Sequence, residues 1–442
     1  MTSILWFRRD LRLSDHPAMV EASGDDAVLP LVVLDPSQLV SANAASRDYF
    51  LASVAALRDA MGGALVVRVG DPIEILPALA RELEARAVHA SRDHGPRGER
   101  RDAEVARRLA VPLVHTGSQY AVAPGRVTKV DGTPYRVFTP FLAAWLRHGW
   151  RAPTAPVQPR WVSLPSDDVS QFPPISGLDV RAGERRALER WQEFRSRSGY
   201  AALRDRPDLD GTTRLSAALR FGEIHPRTML ADLGDNVDDA KLRSELAWRE
   251  FSGHLLHHFP HTAATALDCR YDRMRWDTGS AADARFDAWR DGRTGYPFVD
   301  AGMRQLRATG WMHNRVRMVC ASFLVKHLHL DWRRGAEWFS ERLIDFDFAS
   351  NQQGWQWTAG CGADAAPFHR VFNPVLQGLR FDPEGDYVRS HVPELRHLPG
   401  ALAHEPWRTE DVRGYPQRIV DLGVERAEAL HRLREIGPAG SD

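Results

Sequence analysis

The sequence predicts an α/β domain with a doubly wound parallel sheet of five strands, a long proline-rich linker and an all-helical domain. Apolar runs of strand length alternate with helical patterns in the first third of the chain, prolines cluster after residue 150, and helical periodicity dominates from residue 184 onward. A chain of 442 residues with 43% hydrophobic and 26% charged residues is long enough for two or three globular domains. We place the α/β domain at residues 1–130, the linker at 131–183 and the helical domain at 184–442.

Five apolar runs predict the strands of the first domain: Ser3–Phe7, Val28–Leu34, Ala64–Val69, Ala87–Ser91 and Pro112–His115. They are almost continuously apolar, as expected for a parallel sheet that is covered on both faces. The clearest helix between them is Pro72–Ala85, with Asp71 at its N-cap and a proline at its first position. No G-x-G-x-x-G motif follows the first strand and no P-loop motif occurs. A ligand of this sheet is still expected at the carboxyl ends of the strands.

The amino-acid composition changes after residue 150. Six prolines predict a stiff, extended connector: Pro153, Pro156, Pro159, Pro165, Pro173 and Pro174. Five later segments have helical periodicity: Arg185–Arg197, Arg214–Leu219, Ala240–His258, Tyr296–Ala308 and Asn314–Leu328. These patterns predict a helical domain after the connector.

Charge and cysteine content exclude several classes of protein. The 58 basic and 58 acidic residues cancel, yet all basic residues except three lysines are arginines, whose planar guanidinium suits phosphate and carboxylate. The three cysteines form no C-x-x-C pair, which excludes a disulfide scaffold and argues against an iron–sulfur cluster. Because neither a secretory signal nor an apolar run of membrane length is found, we expect a cytoplasmic protein.

Tryptophan has an unusual distribution. Eight of the 14 tryptophans fall between Trp248 and Trp357. A hydrophobic core does not need this density of indoles, whereas indoles also stack on flat rings and can relay an electron. The clustering therefore indicates a functional use besides packing.

The segment Gly211–Ser216 (GTTRLS) combines three hydroxyl groups with the predicted start of a helix. One interpretation is an ordinary helix cap with spare hydroxyls. The other is a cradle for an anion such as phosphate, because helix N-termini favour negative charge.

Two helical segments bring chemically diverse side chains onto one face with i, i+3 and i+4 spacing. These sets are Glu245, Trp248 and Arg249, and Asn314, Arg317 and Met318. The first set is either a salt bridge beside an indole of the core or part of a functional site. The residues of the second set either line a pocket or are exposed on the surface.

Histidines cluster at the end of the first of these segments, at positions 254, 257, 258 and 261. His254 and His258 are spaced i, i+4, as in zinc-binding helices, but the glutamate of H-E-x-x-H is missing. Nearby carboxylates and thiolates at ligand spacing are lacking as well. We therefore expect no metal site.

The densest group of unusual residues lies between Asp345 and Trp357. Asp345 and Asp347 are followed by Asn351 and then by Trp355 and Trp357. Two carboxylates, an amide and two indoles suit a flat heteroaromatic ligand with N–H groups on its edge. The alternative is a loop with acidic caps.

These segments belong to a long, colinear set of motifs that resembles the photolyase/cryptochrome family of flavoproteins, and specifically class I cyclobutane pyrimidine dimer (CPD) photolyases. The motifs are LWFRRDLRLSDHPA (Leu5–Ala18), YRVFTPF (Tyr135–Phe141), GTTRLS (Gly211–Ser216), ELAWREF (Glu245–Phe251), TGYPFVDAGMRQL (Thr294–Leu306), TGWMHNRVRM (Thr309–Met318), WQWTAGCGADAAPFHRVFNP (Trp355–Pro374) and HEPW (His404–Trp407). The resemblance covers almost the whole chain. It implies an N-terminal domain for an antenna chromophore and a C-terminal helical domain that binds FAD.

The resemblance implies that non-covalent, reduced FAD is the cofactor. The implied FAD-binding residues are Tyr200, Thr212, Thr213, Arg214, Leu215, Ser216, Asn314, Arg317, Asp345, Asp347 and Asn351. The residues from Tyr200 to Ser216 would hold the phosphates and the ribityl chain. Asp345 and Asp347 would bind the edge of the isoalloxazine, with Arg317 paired to Asp345, and Asn351 would face flavin N5. An electron relay would run through Trp355, Trp332 and Trp276.

The resemblance also implies which residues contact the damaged DNA. The lesion pocket would contain Glu245, Trp248, Met318 and Trp357, and the two indoles would stack on the flipped-out dimer. The other implied DNA contacts are Arg204, Arg249, Asn314, Arg315, Arg370 and Gln377. Glu245 and Asn351 would take part in the reaction itself.

The sequence departs from the family pattern at several positions. Leu242 replaces an indole that several members carry. Ala42 and Arg97–Gly98 replace the residues that bind a folate antenna. Asp35, Arg47 and the segment Pro96–Asp102 are more similar to the version that binds 8-hydroxy-5-deazaflavin. A deazaflavin antenna is therefore expected in preference to methenyltetrahydrofolate.

The function implied is light-dependent DNA repair, in which photoexcited reduced FAD splits cyclobutane pyrimidine dimers. The protein would be a carbon–carbon lyase that binds UV-damaged DNA. It would act as a monomer. The alternatives are a cryptochrome-like photoreceptor and a (6-4) photolyase. Asn351 and the pair Trp248 and Trp357 favour dimer repair, whereas His369 keeps the (6-4) alternative open.

Overall fold

A parallel sheet of five strands lies at the start of the chain. The structure is a computed structural model, and it describes residues 2–24, 27–365, 370–410, 412 and 414–437. The strands are β1 (Thr2–Phe7), β2 (Ala27–Leu34), β3 (Val66–Val69), β4 (Val88–Arg92) and β5 (Leu113–Ser118). They pair in the order β3–β2–β1–β4–β5, so the strand order reverses between β1 and β4. In doubly wound folds, this switch point is where ligands bind. The predicted sheet is confirmed.

The central strand β1 is covered on both faces. Leu5 and Phe7 belong to one hydrophobic cluster, whereas Ile4 and Trp6 belong to another. Each of these four side chains is at most 2% exposed. Successive strand residues point to opposite faces, and burial of both faces explains why the strand is continuously apolar in sequence.

Helices make up most of the remaining regular structure. In chain order they are α1 (Pro17–Ala22), α2 (Pro36–Ser41), α3 (Ala44–Ala60), α4 (Pro72–Glu82), α5 (Pro96–Arg108), α6 (Phe138–His148), α7 (Glu184–Arg195), α8 (Tyr200–Leu203), α9 (Ser216–Phe221), α10 (Pro226–Ala231), α11 (Val237–His258), α12 (Ser280–Arg290), α13 (Pro297–Thr309), α14 (Asn314–Lys326), α15 (Trp332–Arg342), α16 (Phe348–Ala359), α17 (Pro374–Phe381), α18 (Asp386–His391) and α19 (Leu422–Glu435). Within the described ranges, no helix has the length and apolarity needed to cross a membrane.

Two helix ends differ from the predicted ones because of left-handed backbone. Asp71 caps α4 as expected, and its Oδ1 accepts a hydrogen bond from the Ile73 N–H at 2.8 Å. That helix stops at Glu82 instead of Ala85, since Glu84 has a φ of +44°. Similarly, α9 starts at Ser216 instead of position 214, where Arg214 has a φ of +52°. A residue in this conformation cannot continue a right-handed helix.

The predicted linker is more structured than its prolines suggest. Helix α6 lies within the range 131–183 that we assigned to it. The connector then pairs with β2, because the Val28 N–H donates to the Arg160 carbonyl at 2.9 Å and the Val162 N–H donates to the Val28 carbonyl at 2.8 Å. The segment after residue 150 is therefore extended, as predicted, but part of it is held against the sheet.

The chain forms two units that interleave along the sequence. The first comprises Met1–Ser198, Thr213–His258 and Ile344–Asp347, and the second comprises Gly199–Thr212, Phe259–Leu343 and Phe348–Asp442. The predicted domain boundaries at residues 130 and 183 follow chain order and stay a prediction.

In the second unit, α14 packs against α13 and α16. The predicted apolar stripe of α14 is confirmed, because its residues Val316, Val319, Cys320, Phe323 and Leu324 are all 0% exposed. This buried stripe fixes the direction in which the polar face of α14 points.

In the first unit, a buried carboxyl group joins three segments. Glu250 of α11 accepts hydrogen bonds from the Trp145 indole N–H at 2.7 Å, from the Val122 N–H at 3.0 Å and from the Ala121 N–H. Burial raises the pKa of Glu250 to about 7, against the effect of these three donors. The contacts attach α11 to α6 and to the segment that follows β5.

We expect Glu250→Ala to lower the free energy of unfolding by about 3 kcal/mol, because three buried donors lose their acceptor. Denaturant unfolding monitored by circular dichroism measures the loss. Glu82→Ala, at an exposed position of α4, is the matched control and should change stability by less than about 0.5 kcal/mol. Equal stability of the two variants would show that the Glu250 contacts do not stabilise the fold.

Candidate functional site

The acidic loop Ile344–Asp347 is held in the first unit by two arginines. The Arg9 guanidinium donates to Asp347 Oδ2 at 2.7 Å, and Arg220 Nε donates to the Phe346 carbonyl at 2.5 Å. Asp345, in the same loop, is 6% exposed. The two carboxylates that were predicted to bind a flat ligand, the buried Asp345 and the partly buried Asp347, are thus on a loop that is fixed by side chains from distant segments.

The electrostatics of this loop follow from burial and from the pairing of charges. Burial alone would lower the pKa of Arg9, but the carboxylates of Asp347 and Asp93 outweigh it and keep that pKa above its ordinary value. For Arg220, burial and the nearby Arg9 lower the pKa to about 9. Arg220 Nη1 is buried and has no hydrogen-bond partner among the described residues. A negatively charged group placed beside it would be stabilised.

The GTTRLS segment makes a tight turn before the six-residue helix α9. Thr213 Oγ1 accepts from the Leu215 N–H at 3.3 Å, and the Thr213 carbonyl accepts from Arg190 Nε at 3.0 Å. Arg214 is in the left-handed conformation noted above, while Leu215 is 2% exposed and Ser216 is exposed. A non-glycine residue in this conformation costs free energy, which is typical of functional turns.

Helix α11 carries the first unit's predicted lesion residues. Trp248 is half-buried and stacks on Phe138, with ring centroids 3.8 Å apart and planes inclined by 11°. Glu245 lies 3.6 Å from the Lys241 ammonium. Arg249 donates to the carbonyls of residues 119 and 219 at 2.9 and 3.3 Å, so it supports the fold. Its contact with DNA stays a prediction.

Helix α14 presents its predicted polar residues in the second unit. Arg317 Nε donates to the Met312 carbonyl at 2.7 Å, which fixes the base of the guanidinium. Asn314 is exposed, and its amide nitrogen lies 3.9 Å from the sulfur of the half-buried Met318. The structure thus brings Asn314 and Met318 together on one turn of the helix.

Two predicted DNA contacts meet at a carboxylate in the second unit. Arg315 donates to Asp205 Oδ2 at 2.9 Å, and Arg204 Nε lies 3.8 Å from Asp205 Oδ1. Arg204 also lies over the ring of Tyr200, with its guanidinium carbon 5.9 Å from the ring centroid. Sharing one carboxylate between two arginines leaves a local excess of positive charge.

Helix α16 carries the predicted amide and two of the predicted indoles. The Asn351 side-chain N–H₂ donates to the Ala336 carbonyl at 3.1 Å, which orients the amide. Trp355 is 3% exposed and packs edge-on against Phe339, with centroids 5.0 Å apart. A Cβ on Gly335 would come within 2.1 Å of the Trp355 ring, so glycine is required for this approach of α15 to α16. The structure therefore fixes both the amide and the buried indole.

The three predicted relay tryptophans differ in burial. Trp355 and Trp332 are 3% and 1% exposed, whereas Trp276 is half-buried. Residue 276 lies next to the loop that precedes α15, because the Asp277 N–H donates to the His329 carbonyl at 2.9 Å. The first two members of the predicted relay are thus buried, and the last is partly exposed.

Three remaining residues predicted to contact DNA lie in the second unit. Trp357 is half-buried, two residues beyond Trp355. Arg370 is exposed, and the oxygen of Gln377 is buried without a hydrogen-bond partner among the described residues. His369, which keeps the (6-4) alternative open, lies outside the described residues.

The residues assigned to an antenna have structural contacts in the first unit. Asp35 caps α2 and accepts from the Ser37 N–H at 2.9 Å. Arg47 is buried and donates to the Pro173 carbonyl at 3.1 Å. In the segment Pro96–Asp102, Asp102 pairs with Arg8 at 2.6 Å. These three residues therefore stabilise the fold, and their contact with a second chromophore stays a prediction.

Sequence analysis assigned no role to Arg9 and Arg220, which hold the acidic loop. Arg9 lies in the motif LWFRRDLRLSDHPA, and Arg220 lies in α9, a few residues after GTTRLS. Among so many arginines, neither has a distinctive neighbour in sequence. The available signal was that Arg9 lies within one quoted motif and Arg220 lies shortly after another.

The chemistry of these residues fits FAD. Hydroxyls of Thr212, Thr213 and Ser216 suit phosphates, while carboxylates and an amide suit the N–H and carbonyl groups on the edge of a flavin. The unpaired, buried guanidinium nitrogen of Arg220 adds a donor for an anionic ligand. Of the predicted FAD residues, Tyr200, Thr212, Asn314, Arg317 and Asn351 belong to the second unit, and the others belong to the first.

Comparison with known proteins identifies the family. The family described as "DNA photolyase" matches residues 3–160, and "FAD binding domain of DNA photolyase" matches residues 242–435. A deoxyribodipyrimidine photo-lyase of Thermus thermophilus is 43% identical, with 98% of each chain covered. A bacterial class III photolyase from Agrobacterium tumefaciens has a TM-score of 0.88 at 37% identity, covering 98% of this chain and 97% of that one.

An archaeal photolyase from Sulfolobus tokodaii, solved with two FAD molecules, has a TM-score of 0.85 at 30% identity and covers 98% of this chain and 100% of that one. The two family matches lie on the sheet-containing and helical parts of the chain, in the predicted order. The family and fold predicted from the motifs are thus confirmed, and the chain belongs to the DNA photolyase family.

Proposed function

We propose that this protein is a light-driven lyase that splits cyclobutane pyrimidine dimers in DNA. The observation that carries the proposal is the burial of the five tryptophans predicted to act in the site: Trp332 and Trp355 are buried, and Trp248, Trp276 and Trp357 are half-buried. Half-buried indoles can stack on an unpaired base, whereas buried ones cannot. The curated relatives named deoxyribodipyrimidine photo-lyase support the same activity.

The cofactor of the proposed reaction is FAD. When bound and fully reduced, FAD supplies an electron to the dimer after absorbing blue light and regains it when the cyclobutane ring has opened. Two carbon–carbon single bonds break and the two pyrimidine double bonds re-form, so no net oxidation or reduction occurs. The protein's own contribution is to orient the reactants and exclude water, and no general acid or base is required.

The acidic loop and α16 would bind the flavin ring. Asp345 and Asp347 would accept hydrogen bonds from its N–H groups, and Arg317 would balance the charge of Asp345. Because the Asn351 amide nitrogen is committed to the Ala336 carbonyl, its oxygen is the atom available to a ligand N–H. The hydroxyls around Arg214 would bind the phosphates.

The damaged strand would be recognised by stacking and by positive charge. One face of the Trp248 indole is covered by Phe138, which leaves the opposite face for a flipped-out pyrimidine. Trp357, Met318 and Glu245 would complete the lesion pocket. Arg204, Arg315 and Arg370 would bind phosphates, which gives affinity that does not depend on damage.

The relay of Trp355, Trp332 and Trp276 would conduct an electron inward from the surface. Its buried members are shielded from solvent, and its half-buried member can exchange electrons with a reductant in solution. This relay activates the cofactor, whereas the repair step takes place between flavin and lesion.

The proposal includes a second chromophore in the first unit, of the 8-hydroxy-5-deazaflavin type, at the carboxyl ends of the strands. The strand order reverses between β1 and β4, and the carboxyl ends of strands at such a switch point are where ligands of doubly wound sheets bind, which supports this location. We further propose that UV-damaged DNA is the partner. The protein itself would be monomeric and cytoplasmic.

We expect Asp345→Ala to weaken FAD binding by about tenfold or more, because a charge-assisted hydrogen bond contributes about 1.5–3 kcal/mol. Flavin absorbance per mole of purified protein measures occupancy. Asp168→Ala, an exposed position in the connector, is the control and should retain full occupancy. Unchanged occupancy in Asp345→Ala would remove this carboxylate from the site.

We expect wild-type protein with reduced FAD to repair a thymine-dimer oligonucleotide under blue light but not in the dark. Trp332→Phe should lose photoreduction of oxidised flavin, because phenylalanine is much harder to oxidise than tryptophan, and should still repair when reduced chemically. Absorbance of the dimer-free product and of the flavin measures the two activities.

Trp338→Phe is the matched control for that experiment, since Trp338 is also buried on α15 and is not in the relay. It should photoreduce as the wild type does. Absence of light-dependent repair in the wild type would overturn the proposed function. Loss of repair by chemically reduced Trp332→Phe would overturn the separation of relay from repair.

We expect Trp357→Ala to weaken binding to dimer-containing duplex by about 1–3 kcal/mol, the contribution of one base–aromatic stack. Binding to undamaged duplex should hardly change, because it depends on contacts with phosphates. Salt titrations on both duplexes measure these affinities. The control is Trp311→Ala, another half-buried indole of the second unit. Equal losses on both duplexes would mean that Trp357 supports the fold instead of recognising the lesion.

A further inference from the structure

Three metal-ligating side chains meet in the first unit, away from the predicted flavin and lesion residues. They are His94, Glu99 and His257, and one donor atom from each lies within 4.8 Å of the others. His94 lies two residues beyond the end of β4, Glu99 is in the first turn of α5, and His257 is in the last turn of α11. The cluster therefore joins the carboxyl end of a central strand to the end of the longest helix of that unit.

His94 carries the strongest indication of a ligand. Its side chain is 9% exposed, and both ring nitrogens are buried without a hydrogen-bond partner among the described residues. A buried imidazole with neither nitrogen paired is costly, because both have lost their hydrogen bonds to water. A metal ion is one way in which such a nitrogen can be satisfied.

The His257 ring is held close to His94 and is open to solvent. The two ring centroids are 6.3 Å apart, and the planes are inclined by 81°. A Cβ on Gly125 would come within 2.9 Å of His257 Nε2, so the glycine at that position makes room for the ring. His257 and Glu99 are both exposed, which provides a path by which an ion can enter.

The donor groups of the cluster suit a metal ion. Because the ring nitrogens of His94 have no hydrogen-bond partner among the described residues, this imidazole has a lone pair available for a metal ion. A carboxylate at Glu99 would partly balance the charge of a divalent ion.

We propose that His94, Glu99 and His257 bind one divalent zinc ion, with water in the remaining coordination position. Two imidazoles and one carboxylate are a donor set that zinc takes in proteins, and three protein ligands leave one tetrahedral position open. The ion links α5 and the end of β4 to α11 and thereby stabilises the first unit. This site is independent of the proposed FAD chemistry, but its ligand Glu99 lies within Pro96–Asp102, the segment that we assigned to the proposed antenna chromophore.

In sequence, the histidines nearest to His257 lie on the same helix, at positions 254 and 258. His254 is used elsewhere, since its Nε2 lies 3.1 Å from the Tyr135 carbonyl. The actual neighbours of His257 come from a segment far away in sequence, where a lone histidine and a glutamate in a helix give no recognisable motif. The expectation of no metal site followed from spacing within one helix.

The test is isothermal titration of zinc chloride into purified wild-type protein and variants that carry equal amounts of FAD. We expect about one zinc per chain in the wild type. Glu99→Gln and His257→Ala change exposed side chains and should fold normally, and His94→Ala removes the buried ligand. Each should weaken zinc affinity by more than about tenfold, since even the outer partners of metal ligands contribute about 10–100-fold.

His148→Ala is the matched control, an exposed histidine of the same unit outside the cluster, and it should bind zinc as the wild type does. Zinc should also raise the thermal midpoint of the wild type and of His148→Ala but not that of His257→Ala. Cobalt(II) substituted at the site should give the intense visible bands of four-coordinate geometry. Absence of zinc binding in the wild type, or equal binding by His257→Ala and Glu99→Gln, would overturn the proposal.

Discussion

The ion pair between Arg9 and Asp347 fixes the segment on which the candidate flavin site depends. Their 2.7 Å contact, together with that of Arg220 with the Phe346 carbonyl, holds a four-residue loop that belongs to the first unit, although the flanking helices α15 and α16 belong to the second. Helix α16 starts directly after this loop and carries the amide and two indoles of the site. Displacement of the loop would therefore move the start of that helix. The pair is partly buried, and removal of one partner would leave an unpaired charge in a site with little access to water.

The preference for arginine over lysine has a physical use inside this protein. Arg249 donates to two backbone carbonyls, and Arg220 donates to one beside the acidic loop. A guanidinium can make several directed hydrogen bonds at once and stays charged when buried. Burial instead lowers the pKa of Lys326 to about 8. Some of the arginines therefore form hydrogen bonds within the protein instead of a phosphate-binding surface. Only the remaining arginines are available to DNA.

The strands and the acidic loop could be predicted from sequence, but the contacts that hold the loop could not. Continuous apolar runs identify a sheet buried on both faces, and two aspartates beside two indoles are conspicuous in any sequence. Arg9 and Arg220 are not, because only the fold brings them to residues more than a hundred positions away. Helix ends were missed for a related reason: Glu84 and Arg214 adopt left-handed backbone that their residue types do not indicate. Both are non-glycine residues, so composition gave no signal.

Burial separates the tryptophans by what they can do. Trp332 and Trp355 are almost completely enclosed, and the Trp355 ring lies so close to Gly335 that it cannot turn toward solvent without moving α15. These two can exchange electrons with their neighbours but cannot stack on a base. Trp248 and Trp357 are half-buried, and the former already has one ring face covered by Phe138. A pre-stacked indole loses little conformational freedom when a base covers its other face, so binding to a lesion retains more of the stacking free energy. In the proposed mechanism one residue type would serve two chemical purposes, and the difference would lie in how much of each ring the surrounding residues leave uncovered.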